Sequence, residues 1–83
     1  MFAKVKSPVF IDSVKLELSS GDTPVRCILR DENGCICSEI ELTGDQNNPE
    51  LIWKGLNNLP YGIYTLELIK GEEEMKMRLV KRV

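Results

Sequence analysis

Apolar and polar residues alternate along most of this chain, and almost nowhere do they follow helical spacing. In Ser13–Leu18, Val14, Leu16 and Leu18 fall on one face, with Lys15 and Glu17 on the other. That is the pattern of a half-buried strand. Ser19-Ser20-Gly21-Asp22-Thr23-Pro24 is a turn cluster that ends it. Val25–Arg30 resumes the alternation with Val25, Cys27 and Leu29 inward. Asp31-Glu32-Asn33-Gly34 then reads as a hairpin turn, because Asn-Gly tolerates the positive φ that tight turns require.

The return strand, Cys35 to Leu42, sets Ile36, Ile40 and Leu42 on one face, with Ser38 as the polar exception. Cys35, Cys37, Glu39 and Glu41 lie opposite. A two-residue Asn33-Gly34 loop sets Cys27 opposite Ile40 and Arg26 opposite Glu41; a four-residue loop keeps the same faces. Either way Arg26 and Arg30 share a face with Glu39 and Glu41.

Thr43–Pro49 is a polar loop, and Glu50–Lys54 is a short apolar strand. Gly55–Tyr61 is a connector leading into Gly62–Lys70, the clearest strand of the chain, with Tyr64, Leu66 and Leu68 on its core face. Gly71-Glu72-Glu73 turns the chain. Glu74–Val83 returns with Met75, Met77 and Leu79 inward and Lys76, Arg78 and Val80 outward. Phe2–Lys6 and Val9–Ile11 add a short strand, and Pro8 between them points to a sheet edge. Together the pattern predicts one domain spanning 1–83, an all-β, immunoglobulin-like antiparallel β-sandwich of about seven short strands. Trp53, the single tryptophan, is expected to anchor the core between the sheets.

Composition narrows the function classes. A chain of 83 residues holds one small core. Its formal net charge of −2 gives no global field for nucleic acid. No run approaches the ~18–20 apolar residues of a membrane-spanning helix, and Met1–Pro8 lacks the long apolar stretch of a secretory signal. There is no histidine, which removes Ser-His and Cys-His nucleophilic arrangements. Glu72-Glu73-Glu74 reads as a solvated charge run in a turn, and no glycine-rich phosphate loop occurs. So small a core also leaves little volume for a ligand pocket. Cys27, Cys35 and Cys37 are odd in number, spaced C-x-C rather than as zinc knuckles, and divided between two faces. No catalytic residue, metal or cofactor is expected.

Two features remain. Leu59, Pro60, Gly62 and Tyr64 form a turn feeding a strand whose early tyrosine points inward, the arrangement that locks a corner between sheets. Lys76, Arg78, Lys81 and Arg82 make the last strand cationic. Such a strand serves either as a partner surface or as a charged edge that resists pairing.

Pro8–Leu16, Leu29–Gly34, Leu59–Leu66 and Gly71–Val83 resemble, in order, the opening, middle turn and closing blocks of the C-terminal sorting domain carried by cargo of the Bacteroidetes type IX secretion system. Similar blocks occur in small immunoglobulin-like Bacteroides proteins of unknown function. The resemblance implies a sandwich read by secretion machinery, in the periplasm or at the cell surface. Only Pro8 stands where that family carries Pro-Asn-Pro, and if Met1 is the native start the expectation is that no cargo domain precedes it. A stand-alone relative acting through protein contact is therefore the first expectation, and a working sorting signal the second. A small metal-binding or enzymatic domain is a third. If Met1 is the native start, the location expected is cytoplasmic.

Overall fold

The computed structural model describes residues 2–19, 23–43 and 50–82. Among them the chain forms strands β1 (Ala3–Val5), β2 (Val9–Phe10), β3 (Val14–Leu18), β4 (Val25–Arg30), β5 (Ile36–Leu42), β6 (Glu50–Trp53), β7 (Gly62–Lys70) and β8 (Glu73–Lys81). One sheet has the order β1-β3-β6 and the other β2-β8-β7-β4-β5. The two pack as an all-β sandwich, one strand richer than the pattern predicted. Most of the polar loop expected at Thr43–Pro49, and residues 20–22 of the turn cluster expected at Ser19–Pro24, lie outside the described residues.

The alternation explains the core. Val14, Leu16 and Leu18 from β3 and Trp53 from β6 face Val25, Cys27 and Leu29 from β4, Tyr64, Leu66 and Leu68 from β7, and Leu79 from β8, all buried. Each fully buried leucine contributes roughly 1.5–3 kcal/mol of apolar transfer. Leu56, inside the expected connector, is also 1% exposed. Its N–H bonds Asp12 O at 3.1 Å, which draws the connector against the sandwich.

Among the described residues the pairing is antiparallel except at one place, which corrects the expectation of a wholly antiparallel sandwich. Pro8 has no N–H to continue β1 against β3, so the chain crosses to the other sheet there. β2 then lies parallel to the end of β8, with Val9 beside Val80 and Phe10 beside Lys81. Val80 N donates to Pro8 O at 2.7 Å and Arg82 N to Phe10 O at 2.9 Å.

The β4–β5 hairpin also differs from expectation. Its loop has three residues, closed by Asp31 N to Cys35 O at 3.0 Å and Gly34 N to Asp31 O at 3.1 Å. Only Gly34 has positive φ, at 84°, so Asn33 is not the left-handed residue. This is a turn followed by a glycine bulge. A second irregularity between Leu29 and Arg30 leaves Leu29 opposite Ser38 but Arg30 opposite Ile36, with Cys37 as the extra residue. The two shifts cancel, so Cys27 still meets Ile40 and Arg26 meets Glu41. Between them they exchange two side chains. Ile36, expected inward, is 53% exposed, and Cys37, expected outward, packs against the core.

Candidate functional site

The Leu59–Tyr64 segment forms a corner. Tyr64 is buried on β7, and its hydroxyl donates to Pro60 O at 2.6 Å. Its ring meets Phe10 edge-on at 6.0 Å between centroids. Burial, followed by the nearby Cys37, Asp31 and Glu32, holds the phenol above its ordinary pKa. The hydroxyl therefore stays a donor across the physiological range. Gly62 opens β7 at a φ of 148°, and Leu59 packs against the core. Tyr61 is exposed. The geometry is structural and presents no reacting group.

The four cations of the last strand do not share one surface. Lys76, Arg78 and Arg82 are exposed, but Lys81 is only 6% exposed. Position 81 falls on the inward parity with Met75, Met77 and Leu79. Its ammonium reaches the backbone instead, donating to Arg82 O at 2.9 Å. Lys81 therefore leaves the cationic surface predicted from the sequence.

Nor is β8 an edge along its whole length. β7 pairs one side from end to end. On the other, β2 reaches only Val80 and Lys81, and among the described residues no strand covers Glu74 to Leu79. Because Val80 and Arg82 turn their N–H groups toward β2, alternation turns those of Glu74, Lys76 and Arg78 to the same, open side. Beside this stretch runs a groove of about 400 Å³ shared with β1. It is lined by apolar Ala3, Val5, Met75 and Met77 and cationic Lys4, Lys76 and Arg78, with no carboxylate among its described lining residues. Met75, Met77 and Val5 are only partly buried. Sequence parity identified the outward Lys76 and Arg78. It missed the groove, because nothing in the local pattern shows that β1 and β8 end up side by side.

The outer face of the larger sheet carries ion pairs. Arg26 bonds Glu39 at 2.6 Å, Lys76 lies 3.4 Å from Glu74, and Arg30 pairs with Glu67. Glu67 is 9% exposed although it sits on this outer face, as is Ile28 at 5%. Arg30 also donates to Gly34 O at 2.9 Å, which ties the hairpin tip to β7.

Cys27 is buried between the sheets, and burial pushes its thiol up to about 12. Burial, then the neighbouring Asp31 and Cys35, also raises Cys37. Neither is poised as a thiolate nucleophile at neutral pH. Among the described residues no group of three or more His, Cys, Asp or Glu side chains is placed to hold a metal. A larger cleft of about 590 Å³ is lined by residues between Lys6 and Lys15 together with Arg82, and reaches the core residues Phe10 and Val14. No described helix is long and apolar enough to cross a membrane. No family model matches the chain, and no curated protein matches it.

Proposed function

We propose that the protein is a non-catalytic, immunoglobulin-like sandwich module that acts through protein contact, taking up an extended strand at the open edge of β8. The observation that carries this reading is the uncovered stretch Glu74–Leu79, flanked by an apolar groove with a cationic lining. Strand addition draws affinity from main-chain hydrogen bonds and specificity from alternate side chains. An added strand here meets Met75 and Met77 on one face and Lys76 and Arg78 on the other. The matching partner alternates apolar and acidic residues. The tyrosine corner at Tyr64–Pro60 supports the immunoglobulin-like reading of the sandwich.

The test is an amide-resonance titration of the full chain with an extended peptide alternating Leu and Glu, against a Leu/Lys control. The expected result is a selective response at Glu74, Lys76 and Arg78 to the acidic peptide alone. A response to neither peptide, or one centred on other strands, overturns the reading.

The second reading is a sorting domain read by type IX secretion machinery, favoured by the resemblance across Leu59–Leu66 and Gly71–Val83, which make up the corner and the β7–β8 hairpin. Fusing residues 7–83 to an inert periplasmic reporter in a type IX-competent host tests it. A reporter retained in the periplasm refutes it.

A further inference from the structure

We propose that the strand taken up by β8 is β5 of a second copy of this chain, joined head to tail. The inference rests on the reading of the β8 edge as the contact surface and names its occupant.

β5 is the other border of the same sheet, with β4 on one side and no described strand on the other. Asp31 N bonds Cys35 O, so alternation gives Leu29, Cys27 and Val25 as the residues of β4 that bond β5. Ser38, Ile40 and Leu42 answer them, which leaves the backbone groups of Glu39 and Glu41 on the open side. Both borders thus offer alternate residues whose side chains lie on the outer face, Glu74, Lys76 and Arg78 on β8 and the anionic Glu39 and Glu41 on β5.

The sheet order also fixes direction. β8/β7, β7/β4 and β4/β5 are each antiparallel, so β5 runs antiparallel to β8 within one copy. A second copy displaced along the sheet, without being turned over, sets its β5 antiparallel to β8 with the same face outward. One register then places Glu39 opposite Arg78 and Glu41 opposite Lys76, each pair with edge-facing backbone groups. On the core face it places Ile40 opposite Met77 and Leu42 opposite Met75, four side chains that are only partly buried in a single copy. Cys37, where β5 leaves regular pairing, falls opposite Val80, where β2 takes over. Ser38–Leu42 therefore matches the uncovered stretch Met75–Leu79. A β5–β5 contact fits less well, because it sets Glu39 against Glu41 and like charges directly opposite destabilise. A β8–β8 contact centred on Met75 sets Glu74 opposite Lys76 but closes at two copies. The β8–β5 contact is heterologous and does not close on itself at two copies.

The experiment measures the weight-average mass of the full chain against concentration at low salt, by sedimentation or light scattering. The expected result is a rise past about twice the monomer mass, since a heterologous contact keeps adding copies. The variants K76E/R78E and E39K/E41K each return the chain to monomer with an unchanged β-sheet circular dichroism spectrum, and their equimolar mixture associates again. A wild-type chain that stays monomeric, a plateau at the dimer, or a mixture that stays monomeric overturns the proposal. If self-association is absent while the Leu/Glu peptide still engages Lys76 and Arg78, the second copy is excluded and the edge reading stands. If the peptide fails as well, both fall.

Discussion

The two ends of β8 share a strand and a cationic composition, yet they do different work. At Val80 and Lys81 the strand has neighbours on both sides, and Lys81 is buried with its ammonium on a backbone carbonyl. From Glu74 to Arg78 no described strand covers one side, and Lys76 and Arg78 stand in solvent. The difference comes from two residues of β2, placed there by the crossing at Pro8. It teaches that a charge run along a strand is not one surface. Parity and the neighbouring strand decide which cations a partner can reach.

Substitutions at the two ends should separate most widely. Lys81→Glu buries a carboxylate in place of a stem that packs inward, and is expected to cost about 2–4 kcal/mol in urea unfolding. A cost below about 0.5 kcal/mol, the level of an ordinary surface change, would remove the distinction between the ends. Tyr64→Phe tests the corner beside the covered end. It removes the bond to Pro60 O while keeping the ring against Phe10, and should cost about 1 kcal/mol.

The strap that carries β2 onto β8 is pinned by Lys6, which bonds Glu17 at 2.8 Å. The hydrogen bond and charge of Lys6 hold the Glu17 carboxyl below its ordinary pKa, and those of Glu17 hold the Lys6 amine above its own. A depressed carboxylate stabilises the fold above its unfolded pKa and stops doing so as pH falls through the folded value. A raised amine stabilises below its unfolded pKa and is lost as pH climbs through the folded value. Glu17→Gln should therefore lower the thermal midpoint slightly at neutral pH, with the difference fading as pH falls through the folded pKa of Glu17. The smallest stability effect is expected at the open end, where Lys76→Glu and Arg78→Glu should each stay within about 0.5 kcal/mol while changing association.

The strands and core were legible in the sequence because period-2 alternation encodes a half-buried sheet directly. Val14, Leu16 and Leu18, or Tyr64, Leu66 and Leu68, needed no further information. Four things were not legible. The bulge at Cys37 depends on how a three-residue loop is reconciled with cross-strand packing, and that reversed the faces of Ile36 and Cys37. Leu56 is buried by a bond to Asp12, distant in sequence, inside a segment whose own pattern reads as connector. The groove beside β8 is bordered by β1 of the other sheet, so only tertiary structure brings Ala3 and Val5 to Met75 and Met77. The cationic residues were visible one by one; the open stretch that unites Lys76 and Arg78 and leaves out Lys81 was not.

Amide hydrogen exchange along β8, residue by residue in dilute full-length protein, tests the central claim most directly. Val80 and Arg82, bonded to Pro8 and Phe10, should exchange slowly, while Glu74, Lys76 and Arg78 exchange at rates near those of unprotected amides until an added strand slows them. Equal protection at Lys76, Arg78 and Val80 in the dilute chain would contradict an open edge and the contact built on it.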